Sequence, residues 1–156
     1  MRPATAPARF PPLALPGLDG GVRDLSGVDR PTLVSLGHGA CPTTRLLLPY
    51  LERIHRARRP GTDVVVVLQD TPEDARALAA ELALSAPILL DAEPYALGAA
   101  LAAGTVPLSL VLAPGGRIER EWPAFRRQDL EEAAVLFGLP PPFFAADDPA
   151  PALRPG

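Results

Sequence analysis

Hydrophobic and polar positions along the chain alternate between short apolar runs and longer stretches with helical spacing. The apolar runs that predict buried strands lie at residues 32–36, 64–68 and 108–112. A weaker strand is expected at 88–90. After a Pro-Gly-Gly turn, residues 117–122 alternate polar with apolar positions, which is typical of an antiparallel strand nearer the edge of a sheet.

The segments between these strands carry the signals of helices. Thr71 and Pro72, followed by two acidic residues, supply an N-cap, a proline at the first helical position and a favourable first turn. Apolar stripes at helical spacing predict further helices at about 43–59, 95–102 and 128–137. With an N-terminal β-hairpin at 13–25, this order predicts an α/β fold, a three-layer α/β/α sandwich around a central mixed sheet.

Proline is concentrated at the two ends of the chain. Five prolines lie in the first sixteen residues and six in the last seventeen. We therefore divide the chain into a flexible tail at 1–9, one domain at 10–139 and a proline-rich C-terminal tail at 140–156. Because such segments pair poorly in a sheet and contribute little to a core, residues 1–9 and 143–156 are expected to be extended or disordered.

The composition narrows the class of protein. A chain of 156 residues with 47% hydrophobic and 21% charged residues is typical of one globular domain. It has neither an apolar span of about 20 residues nor a signal-peptide core, so we expect a cytoplasmic protein without a membrane partner. A net charge of −3 gives no general attraction to nucleic acid.

Cys41 is the single cysteine. An internal disulfide is therefore excluded. In a reducing compartment a lone cysteine is either a small buried hydrophobe or a reactive thiol, and its position has to decide between the two.

Three segments carry a resemblance to a known family. Residues 31–50, PTLVSLGHGACPTTRLLLPY, resemble the active-site segment of the TlpA/ResA-like thiol–disulfide oxidoreductases of the redoxin (AhpC/TSA) group. In that family a buried strand leads into Trp-Cys-Pro-x-Cys-Arg and a helix containing Leu-Pro. Residues 104–107, GTVP, are similar to the family's segment before its last hairpin, and residues 13–25 are similar to its N-terminal hairpin.

The resemblance covers about residues 10–139. It implies a thioredoxin-like fold with Cys41 as the catalytic residue. It also implies a cis proline at Pro107 beside the cysteine, with Val106 and Pro107 presenting backbone to a thiol substrate.

The chain departs from the family's motif at functional positions. Thr44 occupies the place of the second cysteine, Ala40 replaces the usual tryptophan, and His38 matches no family residue. A Cys-x-x-Cys enzyme resolves its mixed disulfide by internal attack, which a threonine hydroxyl cannot perform. The dithiol cycle is therefore excluded.

If the fold is as implied, Cys41 precedes a helix that begins at Pro42. Backbone N–H groups of Thr43 and Thr44 would then point to the sulfur, and the Thr44 hydroxyl would add a hydrogen bond. We interpret Pro42, Thr43 and Thr44 as thiolate-stabilising and expect a thiol pKa below the usual value of about 8.5.

His38 has three possible roles: half of a metal site, a general base or an ordinary loop residue. One histidine and one cysteine do not complete a tetrahedral metal site. We interpret His38 as a loop residue and predict neither a metal nor another cofactor.

Three functions remain open. The first is a monothiol thiol–disulfide oxidoreductase, whose partner is a thiol or disulfide of a protein or of glutathione. The second is a one-cysteine thiol peroxidase, although His38 stands where peroxiredoxins have a threonine. The third is a non-catalytic binding or scaffold module, since fold alone does not determine function. The sequence also leaves open whether Phe143 and Phe144 dock on a partner or fold back on their own domain.

Overall fold

A five-stranded mixed sheet lies at the centre of the chain, whose computed structural model describes residues 7–156. The strands, in chain order, are β1 (Ala14–Pro16), β2 (Val22–Asp24), β3 (Thr32–Gly37), β4 (Asp63–Leu68), β5 (Ile88–Leu90), β6 (Leu108–Leu112), β7 (Ile118–Pro123), β8 (Phe125–Arg126) and β9 (Leu153–Arg154). The helices are α1 (Pro42–Ala57), α2 (Pro72–Glu81), α3 (Ala96–Ala100) and α4 (Arg127–Leu136), with a short 3-10 turn at Leu25–Gly27.

The order of strands in the central sheet is β5-β4-β3-β6-β7. Strands β3, β4 and β5 run parallel, whereas β6 is antiparallel to β3 and β7 is antiparallel to β6. Both strands of the central β3–β4 pair are buried almost throughout, as continuous apolar runs in a parallel sheet should be. The predicted mixed sheet is confirmed.

Alternating side chains of these strands enter two separate cores, because successive residues of a strand point to opposite faces. On one face, Leu33, Val64 and Val66 pack with residues of α1, α2 and α4. On the other face, Val34 and Val65 pack with residues of α3 and of the N-terminal β1–β2 hairpin. The predicted three-layer α/β/α sandwich and its N-terminal hairpin are confirmed.

The C-terminal segment departs from its expected behaviour. Phe143, Phe144 and Ala150 are buried in the core on the α1 face, and β9 pairs antiparallel with β8. The expectation that residues 143–156 form neither sheet pairing nor core contact is wrong. Proline at other positions of the segment does not prevent two adjacent aromatic side chains from packing beside α1. Burial of these apolar rings stabilises the contact between the segment and the rest of the domain.

At the other end, residues 1–6 of the expected N-terminal tail lie outside the described residues. Arg9 pairs with Arg117 in an isolated antiparallel bridge, and the carbonyl of Ala8 accepts a hydrogen bond from the N–H of Ile118 at 2.9 Å. These last residues of the expected tail therefore belong to the folded part. In residues 7–156 no helix has both the length and the apolar character that spanning a membrane requires.

Candidate thiol site

Cys41 lies at the junction between the central sheet and the longest helix. It follows β3 after a short turn, closed by a hydrogen bond from its own N–H to the carbonyl of His38 at 2.9 Å. It is the N-cap residue of α1, with extended backbone angles (φ −84°, ψ 118°), and Pro42 follows as the first helical residue. Because proline lacks an N–H and has a preset φ, it suits this position and lets the helix begin directly after the cysteine.

The thiol of Cys41 is partly buried, and its surroundings favour the thiolate. Burial by itself raises the pKa of Cys41. The opposing effect is larger, because the backbone N–H groups of Thr44 and Thr43 and the hydroxyl of Thr44 stabilise the negative charge on the sulfur and bring the net pKa of Cys41 below its ordinary value. This is the direction that the sequence predicts.

The position of Thr44 depends on the strand that leads into the site. Its hydroxyl oxygen accepts a hydrogen bond from the backbone N–H of His38 at 3.2 Å. Gly37, the last residue of β3, leaves room for it, since a Cβ at that position would lie 2.6 Å from Cγ2 of Thr44. The buried Thr44 side chain thus occupies the space that a side chain at position 37 would need.

Val106 and Pro107 form a second segment that borders the sulfur, in addition to the start of α1. The peptide bond between them is cis, as the resemblance implies. The thiol of Cys41 donates a hydrogen bond to the carbonyl of Val106, with the sulfur and oxygen 3.6 Å apart. The fold therefore brings together the six residues that the sequence assigns to the site: Cys41, Pro42, Thr43, Thr44, Val106 and Pro107.

His38 is part of the turn before the cysteine. Its Nδ1 accepts a hydrogen bond from the backbone N–H of Ala40 at 3.0 Å, and its Nε2 lies 3.9 Å from Oδ1 of Asp70. The other oxygen of Asp70 accepts from the N–H of Gly39 at 2.9 Å. These contacts hold the turn and agree with the interpretation of His38 as a loop residue.

Sequence reasoning missed two residues that border the site, Pro155 and Gly156. The hydroxyl of Thr43 donates a hydrogen bond to the carbonyl of Pro155 at 2.5 Å. Gly156 lies so close to the peptide between Val106 and Pro107 that a side chain on it would collide with the Val106 carbonyl. The one sequence signal for this contact was the aromatic pair Phe143–Phe144. Such a pair either docks on a partner or folds back on its own domain, and the sequence left both alternatives open.

Comparison with known proteins places the fold. No family model and no curated protein matches the chain. Among solved structures, the chain is similar to a putative thiol:disulfide interchange protein DsbE from Chlorobium tepidum, with 22% identity and a TM-score of 0.73 over 86% of this chain and 97% of that one. It is also similar to StoA from Bacillus subtilis, with 20% identity and a TM-score of 0.68 over 81% of this chain and 98% of that one.

A third similar structure is a secreted thiol-disulfide isomerase from Corynebacterium glutamicum, with 20% identity and a TM-score of 0.69 over 82% of this chain and 84% of that one. The three structures share the thioredoxin-like fold. The fold implied by the resemblance of residues 10–139 is therefore confirmed: the chain has a thioredoxin-like fold.

Proposed function

We propose that the protein is a monothiol thiol–disulfide oxidoreductase that uses Cys41 as its nucleophile. The observation that carries this proposal is the placement of the sulfur at the start of α1, where the N–H groups of Thr43 and Thr44 lower its pKa. A lowered pKa increases the fraction of thiolate at neutral pH, and the thiolate is the form that attacks a disulfide. The names of the similar structures point to the same class of chemistry.

The reaction has two exchange steps. In the first, the Cys41 thiolate attacks one sulfur of a disulfide, a bond forms between them, and the other sulfur leaves as a thiolate. In the second, an external thiolate attacks the mixed disulfide at the substrate's sulfur and releases Cys41 as a thiolate. An external thiol is required because the hydroxyl of Thr44 cannot displace sulfur.

The substrate class is a disulfide or thiol of a protein or of glutathione. Val106 and Pro107 face the sulfur and would present the backbone against which an extended substrate lies. A reducing compartment such as the cytoplasm, where we expect the protein to reside, would supply the external thiol.

The test is to expose the reduced protein to a modest excess of glutathione disulfide at neutral pH and to follow its intact mass. We expect the mass of one glutathionyl group to be added, and to be removed again by excess reduced glutathione. Cys41→Ser is the control and should gain no mass. An unchanged mass of the wild-type protein over hours would contradict the proposal and favour a non-catalytic scaffold. Saturable turnover of hydrogen peroxide with a reducing thiol would favour a peroxidase instead.

A further inference from the structure

The C-terminal segment is fastened to the domain at its beginning, in residues 143–150. The rings of Phe143 and Phe144 are buried, and the guanidinium of Arg53 lies 3.9 Å from the centre of the Phe143 ring. The hydroxyl of Tyr50 donates a hydrogen bond to the carboxylate of Asp148 at 2.6 Å. This part of the segment, the anchor, combines aromatic burial with several polar contacts.

The guanidinium of Arg127 fixes the end of the anchor. It donates to the carbonyl of Asp148 at 2.7 Å and, through Nε, to the carbonyl of Ala150 at 2.8 Å. The backbone N–H of Arg127 also donates to the carbonyl of Ala152 at 3.0 Å. From this point the chain runs towards Cys41.

The final residues, 153–156, are held by much less. All of them are exposed, and their sheet pairing is limited to the two residues of β9 against β8. Beyond β9 come the hydrogen bond from Thr43 to Pro155 and the contact of Gly156 with Val106. These two contacts reach the two segments that border Cys41, because Thr43 belongs to the start of α1 and the carbonyl of Val106 accepts the thiol hydrogen bond. We call residues 153–156 the strap.

We propose that the strap is an autoinhibitory element that covers Cys41 and must detach before a disulfide reaches the sulfur. The proposal rests on the monothiol function above and adds a regulation of the same site. The firm anchor keeps the strap near the site, while the strap itself has few contacts and little buried surface. Segments with those properties open locally without global unfolding.

Detachment also changes the hydrogen bonds available to the thiolate. A threonine hydroxyl has one proton to donate. In the closed arrangement the hydroxyl proton of Thr43 is directed to the carbonyl of Pro155. Once the strap leaves, that proton becomes available to the Cys41 sulfur, so opening both exposes the thiol and stabilises its charged form.

The experiment compares the full chain with a chain that ends at Ala152, which removes the strap and retains the anchor. The rate at which iodoacetamide alkylates Cys41 is followed by mass spectrometry across a range of pH. The plateau of the rate at high pH measures how exposed the thiol is, and the midpoint of the rate–pH curve gives the thiol pKa. Exchange with glutathione disulfide is measured on the same two chains. Arg154→Ala in the full chain is the matched control, because it removes an exposed strap side chain and leaves the backbone pairing intact.

We expect the shortened chain to be alkylated about tenfold faster at the plateau, the factor expected if the strap is open about a tenth of the time. We also expect a lower thiol pKa in the shortened chain, an unchanged rate in Arg154→Ala, and nearly equal midpoints of thermal unfolding. If the shortened chain does not fold, Arg127→Gln at full length serves as the second variant, since it removes the hydrogen bonds that fix the end of the anchor, from which the strap extends.

Equal plateau rates of alkylation in the full and shortened chains would contradict the proposal that the strap covers Cys41. The exchange function would then be judged separately, from the reaction with glutathione disulfide. Faster alkylation of the shortened chain without glutathione exchange in either chain would instead support the strap as a cover and contradict the exchange function.

Discussion

The hydroxyl oxygen of Thr44 accepts the backbone N–H of His38 at a distance of 3.2 Å. A hydroxyl that accepts a hydrogen bond keeps its own proton for donation, and the hydroxyl of Thr44 is one of the groups that lower the pKa of Cys41. The backbone of the turn before Cys41 therefore orients the side chain of Thr44, which comes after the cysteine in the chain. Thr44 takes part in the electrostatics of the site from the position where the motif of the TlpA/ResA-like oxidoreductases, which this segment resembles, has its second thiol.

We expect Thr44→Val to raise the thiol pKa of Cys41, because the isosteric side chain lacks the proton that stabilises the thiolate. The ultraviolet absorbance of the thiolate, titrated against pH, measures the change. Thr44→Ser keeps the hydroxyl and should have a pKa close to that of the wild type. The same pKa in Thr44→Val and in the wild type would show that the hydroxyl has no role.

A second prediction concerns Thr44→Cys, which restores the spacing of two cysteines at the start of α1. We expect this variant to form an internal disulfide with Cys41 on oxidation and to resolve its mixed disulfide without an external thiol, since a thiolate at position 44 can attack internally. Mass loss of two hydrogens on oxidation, and release of bound glutathione without added thiol, are the measurements. A stable glutathione adduct in Thr44→Cys would contradict the expected geometry; Thr44→Ser is the matched control that lacks the second thiol.

The central sheet and the thiol site were predictable because their signals are local. The run of valines in β4 and the Cys-Pro-Thr-Thr segment after β3 each determine their own conformation through side-chain branching and helix capping. Helix bounds predicted at 43–59 and 128–137 differ from the observed ones by at most two residues. Where the predicted elements relied on such short-range patterns, they agree with the structure.

The C-terminal segment was not predictable in the same way. Its position results from contacts between residues far apart in the chain, such as the hydrogen bond from Tyr50 to Asp148. Proline content measures how poorly a segment forms regular structure, but it does not report whether an aromatic pair finds a space on a distant helix. The contact of Thr43 with Pro155 therefore could not be inferred from either segment alone.

The third prediction tests the anchor. Phe144 is buried and packs against the rings of Tyr50 and Phe143, with ring centres 5.1 Å apart in both cases. We expect Phe144→Ala to lower the free energy of unfolding by about 3–5 kcal/mol, as for other large aromatic side chains removed from a core. Urea denaturation measures the change.

The control for this prediction is Leu153→Ala, because Leu153 is 57% exposed. Its effect should stay within about 0.5 kcal/mol. If Phe144→Ala were equally mild, the aromatic pair would not be part of the core and the segment would not be anchored.

The fourth prediction concerns Glu52, a buried carboxylate on α1 that binds the segment before β5. It accepts hydrogen bonds from the N–H of Ser85 at 2.8 Å, from the hydroxyl of Ser85 at 2.5 Å and from the N–H of Ala86 at 3.0 Å. Arg56 donates to it at 2.6 Å. Burial alone would raise the pKa of Glu52, but these donors outweigh it and lower the pKa from 4.5 to about 2.

Because the folded state has the lower pKa, the ionised carboxylate stabilises the folded state above the unfolded-state pKa of 4.5. This contribution, about 3 kcal/mol for a shift of that size, should be lost as the pH falls from 4.5 towards 2.

We therefore expect Glu52→Gln to be clearly less stable than the wild type at pH 7, with the difference shrinking at pH 3. Urea denaturation at both pH values measures this, with Glu73→Gln as a control at an exposed carboxylate. A difference between wild type and Glu52→Gln that is the same at pH 7 and pH 3 would show that the charge on Glu52 does not contribute to the stability of the fold.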